Sequence, residues 1–330
     1  DQRSPGKRAG CHRGGGKPAS LQARRTVEGI GTGMKKKVFI GAGALAALCA
    51  LALGVTTYLL VHRVEGSFFD SNGVRIHYTV EGKGEPVILV HGLAANADLN
   101  WRRPGVIRAL SRHYRVIAFD LRGHGRSEKP QVPNAYGSEM IEDIARLMDH
   151  LKIGKAHIAG YSLGGFLLLK FLAVHPERVQ SAAICAAGWI YPELPIEEIP
   201  NPYRAPQKLQ AVKPLQASVL TGLKAPKMLF NRVRSWVGDQ LVDKTAIKAL
   251  EKTYVQFAVS QDELERNQVP AICFVGTQDG FLYLAEDLKA HMANLELVEL
   301  DGSTHFTTPF YMQFKRQLGA FFRKHPMPKV

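Results

Sequence analysis

The sequence predicts an α/β fold, a doubly wound and mostly parallel sheet, on three observations. Short apolar runs recur at 86–90, 114–119, 156–159, 179–187 and 270–275, as strands covered on both faces require. Helix-like stretches separate them, which is the alternation that right-handed crossovers produce. At one junction, Gly160-Tyr161-Ser162-Leu163-Gly164 ties an apolar strand to an apolar helix. A serine there sits on a strained turn that pushes its hydroxyl clear of the sheet edge, and the two glycines leave room for the bend.

The chain has 330 residues, 45% of them hydrophobic, enough for one large α/β domain and an appendage. Its net charge of +14 is unevenly placed: residues 1–37 hold ten Lys/Arg and two acids, while 64–330 hold 32 basic and 27 acidic residues. The body is only mildly basic and carries no basic stripe with interleaved aromatics, so a nucleic-acid partner is not expected. Cys11, Cys49, Cys185 and Cys273 show no paired spacing, so neither a disulfide framework nor a zinc site is expected. No dinucleotide or phosphate loop is present, since Gly123-x-Gly125 lacks the remainder of such a pattern, and no cofactor is expected.

Residues 1–33 are rich in Gly, Arg and Lys without a hydrophobic period, and should be disordered. Met34-Lys35-Lys36-Lys37 reads as a translation start, which would make the stretch before it upstream read-through; a basic tail at a membrane surface is the other reading. Val38 to Val61 is 24 residues without a charge. At 1.5 Å per residue a helix of that length reaches about 36 Å, enough to cross a hydrocarbon core of roughly 30 Å. The expectation is an uncleaved single-pass anchor at 38–61, with Lys35–Lys37 cytoplasmic and the body on the far side. A cleaved secretory signal is the rival.

In the body, Ser67–Asp70 and Val74–Val80 read as strands around Ser71-Asn72-Gly73, a hairpin signal. After the strand at 86–90, residues 99–112 suit a helix. The strand at 114–119 ends in Asp120-Leu121-Arg122-Gly123-His124-Gly125-Arg126-Ser127. A helix follows at 138–151 with Ser138 as its cap and Met140, Ile141, Ile144, Leu147, Met148 and Leu151 on one side. Beyond Gly188 the rhythm breaks for 81 residues, 189–269, with helical pieces near 207–221, 225–237 and 243–260. An insertion of that size at one edge of the sheet reads as a helical lid. Its aromatics Trp189, Tyr191, Tyr203, Phe230, Trp236, Tyr254 and Phe257 are expected mainly as lid core. A strand at 270–275, helix at 282–293, strand at 295–300 and helix at 310–323 complete the body.

Serine is a poor nucleophile unless a base lies within hydrogen-bond reach. His305 follows the strand at 295–300 by a short loop and so can stand beside the turn at Ser162; His91 and His124 also sit at strand ends. The base needs an acceptor to fix its tautomer. Asp279 ends the strand at 271–276 on the neighbouring loop, with Asp301 and Asp120 as rivals, the first reading as a turn former and the second as a loop anchor. A tetrahedral oxyanion needs two aimed N–H donors, and the backbones of Leu163, after the serine, and Leu93, after His91-Gly92, are the candidates.

Five pieces in order, His91-Gly92, Asp120-x-Arg122-Gly123-His124-Gly125-x-Ser127, Gly160-x-Ser162-x-Gly164, Gly276-x-x-Asp279 and Gly302-x-x-His305, make the body resemble an α/β-hydrolase from about Phe68 to Phe322. The resemblance implies that Ser162 is the nucleophile, Asp279 the acid and His305 the base, in the chain order this fold uses. It implies acyl transfer to water, because relatives that break carbon–halogen bonds or open epoxides carry aspartate at the nucleophile position. The apolar N-terminal segment and lid make the layout similar to membrane-anchored monoacylglycerol-lipase-like members, which implies a small-molecule or lipid ester as substrate. Two alternatives stand beside ester hydrolysis: cleavage of a carbon–carbon bond in a diketone by the same triad, and a slow-turnover ligand receptor or scaffold.

Overall fold

The computed structural model describes residues 48–51, 53–54, 64–194 and 243–328. The chain divides into two units, 1–59 and 60–330. In the first unit the described residues, 48–51 and 53–54, are helical. The expected membrane span at 38–61 lies for the most part outside the described residues, as does the basic tail at 1–33. Among the described residues no helix is long and apolar enough to cross a membrane.

The second unit is built on one sheet of eight strands among its described residues, in the order β1-β2-β4-β3-β5-β6-β7-β8. β1 (Ser67–Ser71) and β2 (Val74–Glu81) form the expected hairpin, with Asn72 and Gly73 at positive φ in its turn. β2 also pairs antiparallel with β4 (Tyr114–Phe119). The other strands, β3 (Glu85–Val90), β5 (Ala156–Tyr161), β6 (Val179–Cys185), β7 (Ala271–Gly276) and β8 (Leu295–Leu300), run parallel. Every residue of β5 and β7 is buried, which is why these strands read as unbroken apolar runs rather than alternating ones.

Helices cover both faces. One carries α1 (Val106–Leu110) and α7 (Met312–Lys324), whose Val106, Ile107, Leu110, Phe314, Leu318 and Phe322 pack on Val87, Leu89 and Phe274. The other carries α2 (Ser138–His150), α3 (Leu163–Val174) and α6 (Leu282–His291). α3 is apolar nearly all round because it is covered twice, by β5 and β6 beneath and by the flanks of the 189–269 insertion above. In those flanks α4 (Lys244–Glu251) and α5 (Gln261–Glu265) contribute Ala246, Leu250 and Leu264 to the same core. Trp189 donates from Nε1 to the Val259 carbonyl at 2.7 Å, Lys170 pairs with Glu263 at 3.1 Å, and Phe257 is fully buried. The middle of the insertion, with the helices expected near 207–221 and 225–237 and with Tyr203, Phe230 and Trp236, lies outside the described residues.

Three local expectations are corrected. The helix expected over 99–112 is split into a π-helical turn at Asp98–Arg102 and α1, because Pro104 has no N–H to continue the ladder and Gly105 takes φ +84°. The piece expected over 243–260 likewise ends at Glu251, with a 3₁₀ turn at Tyr254–Phe257. Ser138 does not cap α2: Gly137 holds the cap position at φ +64°, and the Ser138 N–H donates to Gln256 Oε1.

Candidate active site

β5 runs into α3 through Ser162, which holds φ +54° and ψ −117°, a conformation costly for any residue with a Cβ. The surroundings pin it there. Its N–H donates to the Cys185 carbonyl at 2.8 Å, and its own carbonyl accepts from Gly165 and Phe166 at 2.7 and 3.1 Å. The glycines on either side are sterically required. A Cβ on Gly160 would come within 2.1 Å of the Gly164 carbonyl oxygen, and one on Gly164 within 2.3 Å of the Val90 carbonyl oxygen. The turn thus lets α3 leave the sheet at the end of β5 with Ser162 presented at its rim.

The structure brings Ser162, His305 and Asp279 together from 143 and 26 residues apart. His305 Nε2 lies 3.0 Å from Ser162 Oγ, and His305 Nδ1 lies 3.0 and 3.1 Å from the two Asp279 carboxylate oxygens. With Asp279 ionised, Nδ1 carries the ring proton and Nε2 accepts from the serine hydroxyl. All three side chains are buried, at 6%, 8% and 6% exposure for Ser162, His305 and Asp279, so little water competes for these bonds. The Phe281 N–H donates to Asp279 Oδ1 at 3.0 Å, and the Phe281 ring packs on the imidazole at 5.0 Å. On the loop carrying the histidine, Ser303 Oγ and Thr308 Oγ1 share a hydrogen bond of 2.7 Å.

The loop after β3 closes against Ser162. Its geometry rests on one histidine with a fixed tautomer: His91 Nδ1 donates to the Gly92 carbonyl at 2.8 Å, and Nε2 accepts from the Leu121 N–H at 2.9 Å. The Gly92 N–H donates to Asn100 Oδ1 at 2.9 Å. Gly92 itself stands so near that an added Cβ would lie 3.1 Å from Ser162 Cβ. Leu93 therefore lines the same cavity as Ser162, while Leu163 occupies the first position of α3, where the helix offers its N–H no acceptor. The cavity measures about 240 Å³, and its apolar wall includes Leu93, Leu99, Phe306, Pro309 and Phe310.

The rival residues fall elsewhere. Asp301 is exposed in the turn after β8. Asp120 is buried and holds the 120–127 loop, accepting from Ala97 N–H at 2.9 Å, Arg126 N–H at 2.8 Å and His77 Nδ1 at 3.1 Å. Burial raises its carboxyl, but the His77 bond, the neighbouring His91 ring and the two backbone donors outweigh that and hold it down at about 2. His124 is buried and driven down to about 3, first by burial and then by the nearby His91, so it stays neutral. Among the described residues no group of three or more His, Cys, Asp or Glu forms a metal-binding set.

Two residues that sequence reasoning passed over support the site. Asn100 aligns the Gly92-Leu93 loop, and nothing in its spacing announces that. Tyr161 donates from its hydroxyl to the His305 carbonyl at 2.6 Å, and its ring lies tilted against the imidazole at 5.8 Å, tying the histidine loop to the serine turn. It lies inside the Gly-x-Ser-x-Gly motif, but its partner is 144 residues away. Tyr161→Phe is expected to lower kcat about tenfold with KM nearly unchanged, because it loosens the base without touching the cavity wall's shape. Steady-state kinetics of the variant check this.

A family model described as alpha/beta hydrolase fold matches residues 85–307. The chain is 38% identical over 135 residues to the 2-hydroxy-6-oxo-6-(2'-aminophenyl)hexa-2,4-dienoic acid hydrolase of Metapseudomonas resinovorans, a match covering 38% of this chain and 44% of that protein. The chain thus matches less than half the length of that relative. It is 26% identical over 276 residues to the 2-hydroxy-6-oxononadienedioate/2-hydroxy-6-oxononatrienedioate hydrolase of Burkholderia vietnamiensis, covering 77% of this chain and 93% of that protein. Among solved structures, a meta-cleavage product hydrolase from Pseudomonas fluorescens IP01 superposes with a TM-score of 0.61 at 23% identity, covering 78% of this chain and 98% of that one. None of these three is a monoacylglycerol lipase, the narrower likeness expected from the layout.

Proposed function

The chain belongs to the alpha/beta hydrolase fold family, and from that premise we propose that it is a serine hydrolase cleaving a carboxylic ester through an acyl-enzyme. The observation that carries the reading is the continuous hydrogen-bonded series from Ser162 Oγ through His305 to Asp279, each link at about 3.0 Å. Ser162 Oγ attacks the carbonyl carbon as His305 Nε2 takes its proton. Asp279 stabilises the imidazolium that forms. The oxygen that gains charge is received by the N–H groups of Leu93 and Leu163, the second at the positive end of α3. Collapse expels the alcohol, which takes the proton from His305. Water, activated by the same histidine, then releases the acid and frees Ser162.

A second reading, hydrolysis of a carbon–carbon bond beside a carbonyl, draws on the named activities of the relatives and needs the same three side chains. The cavity wall favours the ester. The relatives' named substrates are carboxylic acids, and a buried carboxylate needs a cationic partner. Among the described residues, this cavity is lined by no Lys or Arg. A neutral acyl chain meets its apolar side without that cost. The uncharged segment at 38–61 supports the further reading that the catalytic unit works at a membrane, on its extracytoplasmic side.

The test is a kinetic panel of neutral esters of graded acyl length run beside a 2-hydroxy-6-oxo-dienoate. The ester reading expects kcat/KM at least about a hundredfold higher on the best ester, a difference of about 2.7 kcal/mol in transition-state binding. Preference for the dienoate would replace it with the carbon–carbon reading. Phosphonylation of Ser162 without turnover on either would leave a receptor.

A further inference from the structure

The body is close to balanced in charge, but the charge is unevenly spread, and the stretches 99–119 and 302–330 are among those that contain no acidic residue. The fold sets these two side by side, since α1 and α7 pack together on one face of the sheet. Between them lies an open groove of about 620 Å³, lined by Arg108, Arg112, Lys315, Arg316 and Arg323 together with Met312. The four arginines are exposed. At its borders Arg102 is neutralised by Asp98 and Glu81, and Lys324 by Glu296. None of the five groove cations has a carboxylate at ion-pair distance among the described residues.

The same two stretches, further toward the chain's catalytic loops, form the mouth of the Ser162 cavity, through Leu99 and Asn100 on one side and Phe306, Pro309 and Phe310 on the other. There the surface turns apolar: Phe306, Phe310 and Met312 are 53%, 57% and 58% exposed. The cations are spread rather than convergent, with Lys315 and Arg323 separated by about 12 Å along α7. That spacing suits a plane of charges better than a single phosphate. Large apolar side chains beside arginines are the composition that seats a protein in the interface of an anionic bilayer. Of the groove's two rings Tyr114 is buried and the His113 imidazole alone is exposed, which does not make a platform for successive nucleic-acid bases.

We propose that the α1–α7 groove and the Phe306–Met312 rim form a docking surface for an anionic lipid bilayer, which places the cavity mouth against the membrane. This surface is made by residues other than those of the N-terminal apolar segment, and the proposal does not depend on the chemistry assigned to Ser162.

The experiment uses the full chain and a variant carrying Arg108→Gln, Arg112→Gln, Arg316→Gln and Arg323→Gln. Both are measured by co-sedimentation with vesicles of phosphatidylcholine alone and of phosphatidylcholine with about 30% phosphatidylserine. Residues 1–63 are identical in the two proteins, so any difference between them belongs to the groove. The variant is expected to partition about tenfold or more weakly onto the anionic vesicles and equally onto the neutral ones, with the difference shrinking as salt is raised. Equal partition onto the anionic vesicles would overturn the proposal. So would groove-dependent binding of a short single-stranded RNA with no groove-dependent binding to vesicles. If the fourfold variant does not fold, the pairs Arg108→Gln/Arg112→Gln and Arg316→Gln/Arg323→Gln are measured separately, and each should give part of the loss; no loss in either overturns it.

Discussion

Ser162→Ala is expected to lower kcat on the best ester by about 10⁴- to 10⁶-fold while leaving KM within a few-fold of the parent. The size follows from what a methyl group cannot do. It cannot form the acyl-enzyme, and it offers His305 no proton, so the imidazole and Asp279 lose their task together. Residual rate should come from the N–H groups of Leu93 and Leu163 acting on water attack, and from binding in the apolar cavity. His305→Ala should fall nearly as far, and the double variant little further than either, because the side chains act as one unit. The fold should be undisturbed, since the turn is held by backbone bonds to Cys185, Gly165 and Phe166 rather than by the hydroxyl. Kinetics of the three variants check this, and wild-type activity in Ser162→Ala would remove the mechanism.

The second large effect is on stability. Arg122 is 1% exposed and Asp143 fully buried, and they meet side-on: Nε to Oδ2 at 2.7 Å and Nη2 to Oδ1 at 2.6 Å. The same guanidinium donates to the Ala135 carbonyl at 2.6 Å, and Ser71 Oγ donates to the carboxylate at 2.5 Å. The pair thereby joins the 120–127 loop, α2 and the β1–β2 hairpin. Arg122→Ala would strand the carboxylate, with Ser71 and an Arg146 guanidinium 3.9 Å away as its remaining company. The expected cost is about 3–5 kcal/mol, most of it the desolvation of an unpaired charge rather than the worth of the pair. Arg122→Met combined with Asp143→Leu should be less damaging than Arg122→Ala alone, because it removes both charges and leaves apolar volume. Urea unfolding at constant m-value measures both. A cost below about 1 kcal/mol for Arg122→Ala would show that the pair does not organise this corner.

Much of the architecture was legible because it is written in local pattern. β3, β5 and β7 are covered on both faces and so appear as short apolar runs, and the Ser162 turn announces itself through glycines that steric contact makes necessary. His305 and Asp279 could be singled out because each follows a strand by a short loop, where a parallel sheet gathers its functional side chains. What escaped was long-range or rested on a single residue. The Tyr161 hydroxyl finds the His305 carbonyl only once the sheet order is set. Asn100 reaches Gly92 across a π-helical turn that no periodicity foretold. Arg122 was read as part of a loop motif, whereas its partner Asp143 lies 21 residues on, in a helix. The break at Pro104-Gly105 carried a local signal, and the apolar spacing on either side of it hid the signal. The basic groove was diluted by averaging charge over the body, since its five cations come from two segments about 200 residues apart.

The most direct measurement is the site of covalent capture by a fluorophosphonate, read by intact mass and peptide mapping of the full chain. The expected result is one phosphonyl adduct per chain, on Ser162, forming far more slowly in His305→Ala. An adduct on a different serine, or sustained ester turnover by a protein that takes up no adduct, would contradict the assignment of Ser162 as the nucleophile.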